Sequence, residues 1–139
     1  MDEQPPLKRQ REAEGAIVKY GTPKQIRVSK LAQTTMKLTG HKGSVYCLAF
    51  DERGESLVSG SFDMKCLLWN TTGMCDNYNI LDGHKNAILD VAWSADSEFI
   101  ATASADKTVG WFDAKTGFRV KRHQGHSGIV NALDTAKAR

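Results

Sequence analysis

His, Ser and Asp, the side chains that together perform acyl transfer, occur in this 139-residue chain as His41, Ser61 and Asp63, and again as His84, Ser104 and Asp106. In a hydrolase the Ser attacks, the His takes its proton, and the Asp holds the imidazole in the required tautomer. Here every member of the first set is matched 43 residues later by its counterpart in the second. That argues against catalysis, because a triad serves one site and has no reason to be copied at a fixed period. The context agrees. Ser59-Gly60-Ser61 sits in strand-like sequence, and no Gly-x-Ser-x-Gly elbow is present to expose a hydroxyl on a strand-to-helix turn. A buried imidazole must still satisfy both ring nitrogens, and a carboxylate and a hydroxyl do so without any reaction. The cysteines, Cys47, Cys66 and Cys75, are odd in number and form no CxxC pair. Two of them lie in apolar runs, where free Cys acts as a small hydrophobe. This usage fits a reducing compartment better than a disulfide framework or a zinc site. No catalytic, cofactor-binding or metal-binding residue is assigned, and no cofactor is expected.

The period belongs to whole segments. Gly40-His41, Gly83-His84 and Gly125-His126 open successive units, 43 and 42 residues apart. After the first come Val45-Tyr46-Cys47-Leu48-Ala49-Phe50, Leu57 to Asp63, and Cys66-Leu67-Leu68-Trp69-Asn70; after the second, Ile88 to Trp93, Ile100 to Asp106, and Val109 to Asp113. Short apolar runs between turn residues predict strands. The near-continuous apolar run from Val45 to Phe50 predicts a strand covered on both faces. Asp51-Glu52-Arg53-Gly54 and Ser94-Ala95-Asp96-Ser97 are hairpin turns, and Asn70-Thr71-Thr72-Gly73 and Ala114-Lys115-Thr116-Gly117 close the third strands. Outer strands are predicted at Met36–Leu38, Asn77–Leu81 and Phe118–Arg122. Self-similarity at about 40–45 residues marks a repeat architecture, here an all-β chain of two complete units and the start of a third. Propellers have about 4–8 such blades, so this length is expected to be an incomplete propeller, a fragment or a truncated gene product.

Charge separates the repeats from what precedes them. Residues 1–30 carry seven Lys/Arg against four Asp/Glu, whereas residues 31–139 carry twelve of each. Bulk charge therefore gives the repeats no grip on nucleic acid. Residues 1–34 are read as a flexible basic arm and 35–139 as a partial propeller. All three prolines lie in the arm, and Lys8, Arg9 and Arg11 follow the Pro pair in the manner of a nuclear import signal. No run of 18 apolar residues is present to cross a membrane, and the first residues lack the apolar core of a secretory signal.

The Gly-His starts and Trp-Asp-like ends resemble those of WD-repeat propellers over residues 36–139. Cys75-Asp76-Asn77-Tyr78, Ala105-Asp106-Lys107-Thr108-Val109 and Arg119-Val120-Lys121-Arg122 are similar to the branch of that family found in the spliceosomal U5 small nuclear ribonucleoprotein. The resemblance implies a nuclear, non-catalytic scaffold in pre-mRNA splicing. Its partners would be the U5 core proteins and the larger spliceosome, with RNA contact indirect and no membrane. The alternatives are a WD-repeat adaptor of another nuclear assembly, in chromatin or a ubiquitin ligase, and a serine hydrolase. The resemblance also implies a buried hydrogen-bonded set in each blade: His41, Ser61, Asp63 and Trp69 in the first, and His84, Ser104 and Asp106 in the second. The second set departs from the pattern, since Phe112 stands six residues after Asp106 and Trp111 one place early. A one-residue shift turns a side chain to the other face, so Trp111 is expected to miss the set, leaving Ser104 without an indole donor. Phe62, at the tip of the hairpin that ends in Asp63, is a candidate partner contact.

Overall fold

Turn residues at regular intervals cut the chain into eight six-residue strands: β1 (Val45–Phe50), β2 (Ser56–Ser61), β3 (Lys65–Asn70), β4 (Asn77–Asp82), β5 (Ile88–Trp93), β6 (Phe99–Ser104), β7 (Thr108–Asp113) and β8 (Arg119–Gln124). The computed structural model describes residues 33–137, so Lys8, Arg9 and Arg11 lie outside the described residues. The strands form two antiparallel four-stranded sheets in the orders β1-β2-β3-β4 and β5-β6-β7-β8, as expected of two consecutive propeller blades. The first turn of each sheet shows how alike the copies are. Gly54 takes a left-handed backbone (φ 72°) after β1, and Ser97 takes it (φ 60°) after β5. Glycine does this freely, while the serine bears a cost of about 1–2 kcal/mol. Register shifts recur at the same places, Val45/Cys47 and Ile88/Asp90 on the first strands, and Leu68/Trp69 and Trp111/Phe112 on the third.

The core lies between the two sheets. Val58, Leu68 and Leu81 of the first sheet pack against Ile88, Val91, Trp93, Ile100 and Phe112 of the second. Burying side chains of this size contributes about 1.5–3 kcal/mol each. Polar bonds set the alignment: the Trp93 indole donates to the Ala49 carbonyl at 3.0 Å, and the Asn79 amide to the Ala114 carbonyl at 3.1 Å. The sheets approach closely at Gly60, where an added Cβ would stand 2.7 Å from the Ile88 side chain across the gap and equally close to the Cys47 sulfur of its own sheet.

Two expectations about strands are corrected. Met36–Leu38 is not a strand; an outer strand needs a third strand to pair with, and β3 and β7 already hold β4 and β8. β1 is not covered on both faces. Val45, Leu48 and Phe50 are 49%, 60% and 58% exposed, whereas their counterparts in β5, Ile88, Val91 and Trp93, are 1%, 4% and 7% exposed. β5 has the first sheet against it, and β1 has no sheet in that position among the described residues. Beyond β8, Val130 to Lys137 lies along β5: Leu133 N–H donates to the Asp90 carboxylate at 2.9 Å and the Thr135 hydroxyl to the Trp93 carbonyl at 2.7 Å.

Candidate functional site

In the first sheet, the His41 Nδ1 lies 3.0 Å from the Asp63 carboxylate and its Nε2 lies 2.8 Å from the Ser59 hydroxyl. The Trp69 indole donates to that same hydroxyl at 2.9 Å. For a neutral imidazole with Nδ1–H given to the carboxylate, this is a directional relay: indole to hydroxyl, hydroxyl to imidazole, imidazole to carboxylate. Asp63 also accepts the Lys42 and Lys65 backbone N–H groups at 2.9 and 3.1 Å, tying the segment before β1 to the β2–β3 turn. Burial by itself would raise the Asp63 carboxyl. The N–H of Lys42, the His41 ring and the N–H of Lys65 outweigh it and hold the group below the usual carboxylate range.

The second sheet repeats the geometry without the indole. His84 Nδ1 is 2.9 Å from Asp106 and Nε2 is 2.6 Å from the Thr102 hydroxyl. Asp106 accepts the Lys85 and Thr108 backbone N–H groups, each at 3.0 Å, and the Thr108 hydroxyl. Here too burial pushes the carboxyl up, and the Thr108 hydroxyl, the Lys85 N–H and the His84 ring more than reverse it, leaving Asp106 well below its ordinary value.

The hydroxyls in these relays are Ser59 and Thr102, not Ser61 and Ser104 as expected. An imidazole presents its nitrogens on opposite sides of the ring. Once Nδ1 meets the carboxylate in the turn, Nε2 reaches a hydroxyl one step further from the tip. Ser61 and Ser104 stand too near the turn, and each accepts an N–H there, from Asp63 and Asp106 respectively, both at 3.1 Å. Nor is Ser104 short of a partner, since its hydroxyl donates to the Ala87 carbonyl at 3.0 Å. The signal was present in the chain: Ser59 and Thr102 are also hydroxyl residues 43 apart. Trp111 pairs with Ala101 while Phe112 pairs with Ile100, so the two rings point to opposite faces, and Phe112 fills the place of Trp69.

These groups resemble a triad in contact order but not in access. Ser59, Leu67 and Trp69 are all buried, and the indole occupies the hydroxyl that would have to attack. Burial pushes the Cys47 thiol up to about 11 and Cys66 well above its ordinary value, so neither is a thiolate at neutral pH. Among the described residues no group of His, Cys, Asp or Glu is arranged to hold a metal, and no helix is long and apolar enough to cross a membrane. Phe62 is exposed at the β2–β3 tip, with the Tyr46 ring edge-on to it at 6.3 Å between ring centroids.

The model of the WD domain, G-beta repeat (WD40), matches residues 32–70 and 75–113. The chain belongs to the WD40 family. Among similar proteins, the U5 small nuclear ribonucleoprotein 40 kDa protein of Dictyostelium discoideum is 45% identical over 80% of this chain and 31% of its own length. The pre-mRNA-splicing factor cwf17 of Schizosaccharomyces pombe is 37% identical over 94% and 38%. The human U5 small nuclear ribonucleoprotein 40 kDa protein is 41% identical over 88% and 34%. The chain thus spans about a third of the length of these curated relatives.

Within the second WD40 unit the missing indole gives a direct test. Phe112→Trp is expected to raise stability by about 1 kcal/mol, the net value of one hydrogen bond, by donating to Thr102. Gly110, which stands where the first unit has the buried Leu67, lets the aromatic ring lie close to β7: a Cβ there would stand 2.8 Å from Phe112. The midpoint of urea unfolding should rise. A fall, with no indole–hydroxyl bond in the variant structure, would reject the correspondence of Phe112 with Trp69.

Proposed function

We propose that this chain is part of a non-catalytic WD-repeat scaffold that acts in the nucleus, in pre-mRNA splicing, as a component of the U5 small nuclear ribonucleoprotein. The observation that carries this is its similarity to relatives bearing that name across 80–88% of the chain. The relays support the scaffold half of the reading, because each is closed within its own sheet and spends its donors and acceptors on holding turns. RNA is reached through protein partners rather than by the repeats themselves, whose charges sum to zero over residues 31–139.

Phe62 is proposed as a contact for those partners. Exposed aromatics at a rim are frequent binding anchors, and truncating one costs about 2 kcal/mol or more. In a nuclear extract, the tagged chain should recover U5 proteins, and Phe62→Ala should weaken recovery with an unchanged circular dichroism spectrum. Undiminished recovery by the folded variant would remove Phe62 from the interface. Recovery of chromatin or ubiquitin-ligase subunits instead of U5 proteins would favour the other adaptor reading. Labelling of Ser59 or Ser61 by a fluorophosphonate would reinstate the hydrolase. Nuclear entry is assigned to Lys8, Arg9 and Arg11; a reporter fused to residues 1–34 should shift to the cytoplasm when all three become Ala, and unchanged accumulation would reject the assignment.

A further inference from the structure

The outer strands of the two sheets differ far more than the rest of the repeat. β4 (Asn77-Tyr78-Asn79-Ile80-Leu81-Asp82) carries no cation, and its one acid, Asp82, is taken up by Lys65. β8 (Arg119-Val120-Lys121-Arg122-His123-Gln124) carries Arg119, Lys121 and Arg122 and no acid. Among the described residues the ion pairs are Lys65–Asp82, Lys137–Glu52 and the two His–Asp contacts, so the cations of β8 have no carboxylate. The Arg122 Nε is buried without a hydrogen-bond partner, a costly state for a charged donor. Arg119 gives one donor to the Gly83 carbonyl at 2.6 Å, leaving most of its five-donor fork free. Arg119 pairs opposite Phe112 and Arg122 opposite Gly110, positions two apart on β7, which places both arginines on one face, with Lys121 on the other. Phe118 and Val120 are exposed beside them. β8 has β7 on one side and no strand on the other among the described residues, leaving a row of backbone donors and acceptors open.

We infer that the free edge of β8 receives an extended acidic segment of a protein partner, which joins the second sheet as a further strand and sets its carboxylates on Arg119, Lys121 and Arg122. Edge addition supplies main-chain hydrogen bonds and leaves specificity to alternate side chains. The register shift at Trp111/Phe112 makes Val120 the extra residue of a bulge, so the regular part of the new ladder runs along Lys121 to Gln124. The arginines face one side of the added strand and Lys121 the other. A nucleic acid would use the cations but neither the open backbone edge nor Phe118 and Val120, so the edge favours a peptide.

The test uses the 139-residue chain and a labelled peptide of repeating Glu-Glu-Val-Val, which sets Glu on both faces of an extended strand, read by fluorescence anisotropy. Saturable binding is expected, weakened about tenfold by Lys121→Glu and lost when alternate peptide amides are N-methylated with the charges kept. A peptide with Lys in place of Glu should not bind. Equal binding of the N-methylated peptide would overturn strand addition. A single-stranded oligouridylate that binds more tightly and is not displaced by the peptide would overturn the choice of partner. Absence of saturable peptide binding would also overturn the inference, and would leave the cations as guards against edge-to-edge pairing. Because three arms alter only the probe, the test survives a variant that fails to fold.

Discussion

Asp106→Ala is expected to lower the unfolding free energy of the chain by about 3 kcal/mol or more. The carboxylate collects the His84 ring, the backbone N–H groups of Lys85 and Thr108, and the Thr108 hydroxyl. Alanine leaves all four donors behind, and the imidazole is buried, where a donor without an acceptor is costly. Left-handed Lys107 (φ 75°), next in the turn, loses the cap that holds it. Urea unfolding at neutral pH measures the loss, and a change below about 1 kcal/mol would show that the relay contributes little. The carboxyl sits well below its ordinary value in the folded chain, so its contribution is fully present above the unfolded pKa of about 3.9. It fades as pH falls from there toward the folded pKa, because the unfolded state then binds the proton more readily. The wild-type chain should therefore lose stability below about pH 4, and Asp106→Ala should lose less over the same interval. Parallel curves would rule out Asp106 as a source of acid sensitivity, and Asp63, shifted in the same direction, would be the next group to test.

The second large effect concerns association. In sedimentation at micromolar concentration the 139-residue chain is expected to run as an oligomer, through the apolar face that Val45, Leu48 and Phe50 present. The second sheet shows what such a face does when covered, since the corresponding Ile88, Val91 and Trp93 are buried against the first sheet. Contiguous exposed apolar patches drive association. Leu48→Lys combined with Phe50→Lys should return the chain to a monomer while leaving β1 paired with β2. A monodisperse wild-type monomer that melts cooperatively would refute the expectation.

The repeat was legible because it is written in turn chemistry and apolar runs. Gly54 and Ser97, or Gly73 and Gly117, mark boundaries that no other element competes for. The opposite orientations of Trp111 and Phe112 were legible as well, because strand parity is a local rule. The hydroxyl partners were not. Ser59 and Ser61 share a face, both recur as hydroxyl residues, and only the span of the imidazole in three dimensions decides between them. The coverage of β1 failed for a different cause. Val45 to Phe50 is composed for burial against another sheet, and composition states what a strand needs, not what is placed against it. Met36–Leu38 failed likewise, since a strand is defined by its pairing.

The contact at Gly60 bears on how such units succeed one another. There the sheets meet with glycine on one side and Ile88 on the other, and a single methyl would wedge them apart. One repeat later the corresponding residues are Ala103 and Val130, the latter anchored beside them by its N–H to the Ser104 carbonyl at 3.2 Å. The carbon gained at 103 is the carbon given up at 130. The number of side-chain carbons across the gap is conserved although neither residue is, so the fit between successive units is a property of the pair, and each member is free to change if the other compensates.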